Sequence, residues 1–258
     1  MDNNISIFMR ARLGSSRLPK KHLLEIKGKP VIQHLIERIR DNTTIRNIVL
    51  CTTEDAEDDI LEKIALDNGI NCFRGDAENV LKRYYDAGKK YAVKYIVNID
   101  CDDLLVNYEL IDKTAKLMEI FDADYLTWEG YPLGCIPTAM SYSGIKKLYE
   151  DSTEDIEHIS LYFINSPKFN TVTIKVSDKL LKRDYFNDIR LTLDYEDDFR
   201  LFKRIYDELY DKDKYISLRS LINLFDSNKE ILKINSYLNK EYFKNFEKFT
   251  ENVTTHLF

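Results

Sequence analysis

Ile5-Ser6-Ile7-Phe8-Met9, followed by Arg10-Ala11-Arg12-Leu13-Gly14-Ser15-Ser16-Arg17-Leu18-Pro19-Lys20-Lys21, is the stretch on which the reading of the fold turns. The first five residues are a short run with β-branched residues, suited to a buried strand. Five cations then fall between Met9 and His22 with no acid among them. Downstream, residues 30–39 place apolar side chains at helical spacing behind Pro30, which suits a helix start. The basic segment is thus the loop that leaves the first strand of an α/β unit, where open α/β sheets gather ligands. It contains neither G-x-x-x-x-G-K-[ST] nor G-x-G-x-x-G, so neither a Walker loop nor a dinucleotide fingerprint is expected. Gly14 permits a tight turn. The serine hydroxyls, backbone amides, arginine forks and lysine charges suit a polyphosphate.

Outward from that loop the pattern alternates. Strands are predicted over 45–53, 71–73 and 95–99, and helices over 54–67, 79–92 and 108–121. This implies an α/β fold with a mostly parallel sheet and flanking helices. The reading is one domain over 1–258, with an embellishment at about 128–188 and a helical extension from Tyr237 onward. In 258 residues there are only 8 glycines and 5 prolines, with 44% hydrophobic and 32% charged residues, which excludes collagen-like and low-complexity classes. The net charge of −6 gives no case for nucleic-acid binding. Neither a signal peptide nor a spanning segment is read, so a cytoplasmic protein without membrane insertion is expected. Cys51, Cys72, Cys101 and Cys135 lack metal-ligand spacing and are expected as buried thiols. His22, His34 and His256 are expected to be structural or exposed.

Two acidic clusters follow apolar runs. Asp100, Asp102 and Asp103 end the strand at 95–99, and Asp194, Glu196, Asp197 and Asp198 follow an expected strand over 189–193. Carboxylates delivered from two strand ends suit a hard Mg2+ ion, with phosphate and water completing its shell. Helix capping is the alternative, with Asp103 serving the helix near Tyr108 and Asp197 the one at Phe199.

The segment Ala11-Arg12 through Lys21, followed by Ile26-Lys27-Gly28-Lys29-Pro30, resembles the cytidylyltransferase signature A-R-x-G-S-x-R-L-P-x-K with I-x-G-K-P, in its spore-coat polysaccharide branch. Further matches are Phe73-Arg74-Gly75-Asp76 with Arg83, Tyr131-Pro132-x-Gly134, Glu157-His158, and Arg190 to Asp194. The resemblance spans nearly the whole chain and implies a Rossmann-like, GT-A-like nucleotidyltransferase. It implies Mg2+-dependent transfer of CMP from CTP to a small acceptor, a sugar acid or phosphorylated polyol, for surface-glycan biosynthesis by a homodimer. Arg12, Lys21, Asp102 and Asp194 would be catalytic, the two aspartates holding Mg2+. Arg10, Ala11, Leu13, Gly14, Ser15, Ser16, Arg17, Thr52, Thr53, Arg74, Gly75 and Arg83 would bind the nucleotide. Asp103, Tyr131, Gly134, Glu157, His158 and Arg190 would bind the acceptor. Departures fall on the acceptor side: Asn98 stands where arginine is usual, and Ile136 and Thr138 stand where acids are usual. Lys20 replaces a usual glycine. A GTP- or UTP-using transferase, or a catalytically weak nucleotide-binding subunit, are the alternatives.

Overall fold

A computed structural model describes residues 4–176, 178–211 and 215–256, with side chains through Thr250. Strand β1 (Ile5–Arg10) is an interior strand of a seven-stranded sheet. Its neighbours are β4 (Asn47–Thr53) and β6 (Tyr95–Asp100), both parallel to it. Beyond β4 lies β5 (Asn71–Gly75), also parallel. Beyond β6 come β8 (Thr138–Ser141), β7 (Tyr125–Glu129) and β9 (Thr171–Lys175), giving the order β5-β4-β1-β6-β8-β7-β9. Only β8 runs against the others. A two-residue pair, β2 (Glu25–Ile26) and β3 (Lys29–Pro30), sits between the basic loop and the first helix.

The two-residue period of the strands divides the core between two faces. Ile5, Ile7 and Met9 of β1 join Val97 and Ile99 of β6 on one face. There they meet α1 (Val31–Arg40), α2 (Asp59–Asp67), α4 (Ile111–Phe121), α7 (Glu196–Leu209) and α8 (Leu218–Ser227). Phe8, Val49 and Ile96 point the other way, into α3 (Val80–Lys90), α5 (Tyr142–Asp151) and α6 (Ile159–Asn165). Each β1 side chain from Ile5 to Met9 is buried, as a strand covered on both faces requires. The last helix, α9 (Asn239–His256), packs against α6. Cys51, Cys101 and Cys135 are buried and unpaired, and Cys72 is partly buried.

Two expectations change. The run 189–193 forms no full strand; a single bridge joins Arg190 to Leu133. The contact is nonetheless close: the Leu191 amide donates to the Leu133 carbonyl at 2.9 Å. Gly134, at φ +82°, would place a Cβ 2.2 Å from the Leu191 carbonyl oxygen, so only glycine fits. Nor do Asp103 and Asp197 cap helices as the alternative reading had it. Asn107 accepts from the Glu109 amide, and Asp198 accepts from the Asp194 and Tyr195 amides ahead of α7. His256 has its side chain outside the described residues, whereas His22 and His34 are buried.

Candidate functional site

The loop after β1 is pinned from below. Ala11, Leu13 and Leu18 bury their side chains in the core. The Leu13 amide donates to Asp58 Oδ1 at 2.9 Å. Asp58 is itself buried, and its other oxygen accepts from the hydroxyls of Thr52 (2.9 Å) and Thr53 (2.5 Å). With that underside fixed, Gly14, Ser15, Ser16, Arg12 and Lys21 line a small polar pocket of about 250 Å3. Lys20 turns the chain in left-handed geometry at φ 54°, ψ 29°, the conformation that glycine would adopt without strain.

Lys21 then reaches beneath the loop. Its Nζ lies 2.8 Å from Asp102 Oδ2 and 3.1 Å from Asp194 Oδ1. Burial pushes the Lys21 ammonium down, but the two carboxylates more than reverse this and hold it above the usual lysine range. Burial likewise opposes ionisation of Asp102, yet Lys21 prevails and keeps that carboxyl at about 2. The two acidic segments converge because the Leu193 amide donates to the Asp102 carbonyl at 2.9 Å.

Behind Asp194 is a second buried layer. Arg190, fully buried, donates to Asp194 Oδ2 at 3.1 Å and to Asp198 Oδ1 at 2.9 Å. Asn235 closes the layer, donating to Asp198 Oδ1 at 2.8 Å and to the Arg190 carbonyl. Arg17 approaches from the open side, 2.8 Å from Asp194 Oδ1, with its guanidinium over the Tyr195 ring.

A larger cleft of about 740 Å3 opens next to the polar pocket, and the two share Arg10, Arg17, Asp102 and Glu157. Arg10 pairs with Asp100 at 2.9 Å and donates to the Glu157 carbonyl. Arg12 reaches the Glu157 carboxylate at 3.3 Å and the Ala77 carbonyl at 3.1 Å. His158 lines the cleft; burial holds its imidazole below the usual histidine range although Glu157 pulls the other way. Asp103 also lines it, and burial with Asp100 and Asp102 nearby raises its carboxyl well above the usual range.

Several expected residues lie elsewhere. Thr52 and Thr53 are buried, and their hydroxyls are committed to Asp58. Arg74 is held by the Thr53 carbonyl, Asp59 and Glu62. Gly75 lies beside the Phe73 ring and the stem of Arg83. Arg83 does line the polar pocket, but its guanidinium donates to the Asp76 and Ala77 carbonyls. Tyr131 packs edge-on against Trp128, and Gly134 serves the close approach to Leu191. Arg190 is a positioning residue behind Asp194, not a cleft-facing group, because its charge is consumed by two buried carboxylates. Sequence reasoning gave no site role to Asp58 or Asn235, and it placed Asp198 only within the second acidic cluster. It also missed Tyr242 and Phe249 of α9, which line the cleft.

Among the described residues, no three His, Cys, Asp or Glu side chains converge on one metal position. Asp102 and Asp194 nonetheless share one cation, each with an oxygen within 3.1 Å of the same nitrogen. Two hard oxygen donors already facing one positive charge fit a divalent ion whose remaining ligands come from phosphate and water.

Residues 7–251 match the cytidylyltransferase family model. An uncharacterised protein of Methanocaldococcus jannaschii is 30% identical, over 93% of this chain and 98% of its own length. The spore coat polysaccharide biosynthesis protein SpsF of Bacillus subtilis is 27% identical, over 88% and 95%. The structure of a cytidylyltransferase from Leptospira borgpetersenii superposes with a TM-score of 0.79 at 28% identity, covering 89% of this chain and 96% of that one.

Proposed function

This chain belongs to the cytidylyltransferase family, and from that premise we propose that it transfers CMP from CTP to a small anionic acceptor, releasing pyrophosphate. The observation that carries the reading is the Lys21 ammonium lodged between Asp102 and Asp194, where the polar pocket meets the larger cleft. Triphosphate oxygens suit the 250 Å3 pocket, whose hydroxyls and cations offer donors in a mostly polar lining. Arg12, held by a partly exposed carboxylate, is free to exchange that partner for phosphate. Lys21 and Arg17 offset negative charge that builds up on the leaving pyrophosphate. Asp102 and Asp194 would hold Mg2+, which when bound polarises the α-phosphoryl oxygen. The acceptor oxygen, entering from the 740 Å3 cleft, forms its bond to the α-phosphorus as the bond to the bridging oxygen breaks. His158 lines the cleft, where burial disfavours its charged form, and is placed to take the acceptor's proton.

Surface-glycan synthesis in the cytoplasm, by a homodimer joined through residues at about 128–188, completes this reading. Among the described residues, no helix is long and apolar enough to cross a membrane. The test is pyrophosphate release from each of four NTPs, with and without Mg2+, over a panel of sugar acids and phosphorylated polyols. CTP-specific turnover that Asp102→Ala abolishes is expected. Turnover with GTP alone would sink the cytidylyl assignment, and tight CTP binding without turnover would favour a binding subunit. Light scattering checks the dimer.

A further inference from the structure

Arg38 of α1 carries a charge that the described residues leave unanswered. The residue is 3% exposed, and its Nε donates to the Val106 carbonyl at 2.9 Å. The guanidinium lies 4.8 Å from the centre of the Tyr108 ring. Its Nη2 is buried without a hydrogen-bond partner. Among the described residues no carboxylate pairs with it, whereas Arg190, likewise sealed, has two. Burial pulls the Arg38 guanidinium below the usual arginine range, and the groups that oppose this most are Tyr206, Tyr108, Cys135 and Tyr215. No carboxylate is among them. An arginine keeps its proton all the same, and a buried charge without a counter-charge is costly.

A pocket of about 60 Å3 lies against this group, lined by Arg38 and His34 of α1, by Tyr206 of α7, and by Tyr210 and Tyr215 beyond it. It shares no lining residue with the polar pocket or the large cleft. Its walls are set in advance. His34 packs edge-on against Tyr206 and Tyr210, with ring centroids 4.8 and 5.5 Å apart, and its Nε2 donates to the Ile26 carbonyl at 2.8 Å. Lys29 and Glu37 also line the pocket but pair with each other, which leaves Arg38 and Asp211 as its remaining charges. Asp211 is exposed to solvent, so the buried charge is the positive one. A water takes up about 30 Å3 in the liquid, so the pocket has room for roughly two waters or one small ion, and for no sugar or nucleotide.

We propose that this pocket is an anion site, in which the Arg38 guanidinium binds a small monovalent ion of the halide class. The ion supplies the counter-charge, and Nη2 gains an acceptor. The occupied site also steadies the turn behind Asp102. Arg38 holds the Val106 carbonyl, and the Val106 amide donates to the Asp103 carbonyl at 2.9 Å. The site does not depend on the proposed transfer reaction.

Thermal melts of the full chain test it, comparing sodium bromide with sodium gluconate at equal ionic strength, gluconate being too large for the pocket. Bromide should raise the melting temperature saturably, by about 3–6 °C at ten times its half-saturation concentration, and gluconate should not. Arg38→Met, which keeps an apolar stem of similar volume, should abolish the bromide-specific rise. Crystals soaked in bromide should show anomalous density beside the guanidinium. An equal response to both salts, or a rise that survives in Arg38→Met, overturns the proposal. Density only in the polar pocket overturns it too, as does density beside Arg38 without a saturable rise, which marks an adventitious ion only. Should Arg38→Met fail to fold, the wild-type melts and the position of the bromide decide the matter.

Discussion

Asp198 is the residue whose loss should be most costly. It is fully buried, and it accepts from Arg190 Nε, the Asp194 and Tyr195 amides and Asn235 Nδ2. In Asp198→Asn the amide oxygen can still serve the backbone, but Arg190 loses its closer carboxylate while remaining 0% exposed. Breaking a buried pair by removing one partner costs about 3–5 kcal/mol. For a chain of this size that corresponds to a fall of roughly 6–20 °C in melting temperature. The companion variant Asp198→Asn/Arg190→Met removes the stranded cation and should recover most of the loss, because an apolar replacement of similar volume costs little. Urea unfolding followed by circular dichroism measures both variants and the Arg190→Met single, completing a double-mutant cycle. A single-variant loss below about 1 kcal/mol, or a double variant equal to the sum of the singles, would refute the argument that this layer acts as a coupled unit.

Asp58→Ala should lose the four bonds to Leu13, Thr52 and Thr53, at a cost of about 2–4 kcal/mol, and weaken CTP binding; calorimetry beside a thermal melt checks both. Gly134→Ala should cost about 2–4 kcal/mol, since the new methyl meets the Leu191 carbonyl; an unchanged melting temperature would contradict the close approach. Burial lowers the His22 imidazole to about 4, so between pH 6.5 and 4 the unfolded chain binds a proton that the folded one does not. Stability should fall across that window by about 3 kcal/mol as pH drops, and His22→Leu should flatten the slope. Asp102 acts lower: its depressed carboxyl contributes stability above its ordinary 3.8 that is lost as pH falls toward 2.

Much of the fold was legible because strands buried on both faces read as largely apolar runs, as at Ile5 to Met9 and Tyr95 to Ile99, each broken by one polar residue. The loop and Asp102 were legible through charge at strand ends, and Asp194 through motif, although the run before it forms no full strand. Thr52 and Thr53 misled because a hydroxyl at a strand end looks available until a buried acceptor such as Asp58 is seen to claim it. Asp198 and Asp58 were hidden for the converse reason. An acid near a helix start reads as a solvated cap, and only the tertiary fold reveals that it is sealed in with Arg190 or with the loop. The cleft-facing role of α9 was equally hidden, since helical periodicity states that one side is apolar but not what that side meets.

The left-handed Lys20 bears on the thermodynamics of nucleotide capture. A glycine at that point of the basic loop would wander through mirror-image backbone conformers in the free protein, all of which anion binding would have to silence. A side chain confines the backbone to a narrow basin, so the conformational selection is made during folding and not at encounter. The loop of this chain should therefore meet its anion with little ordering entropy left to lose. Compared with Lys20→Gly, CTP binding followed by titration calorimetry should show a less unfavourable entropy at similar enthalpy.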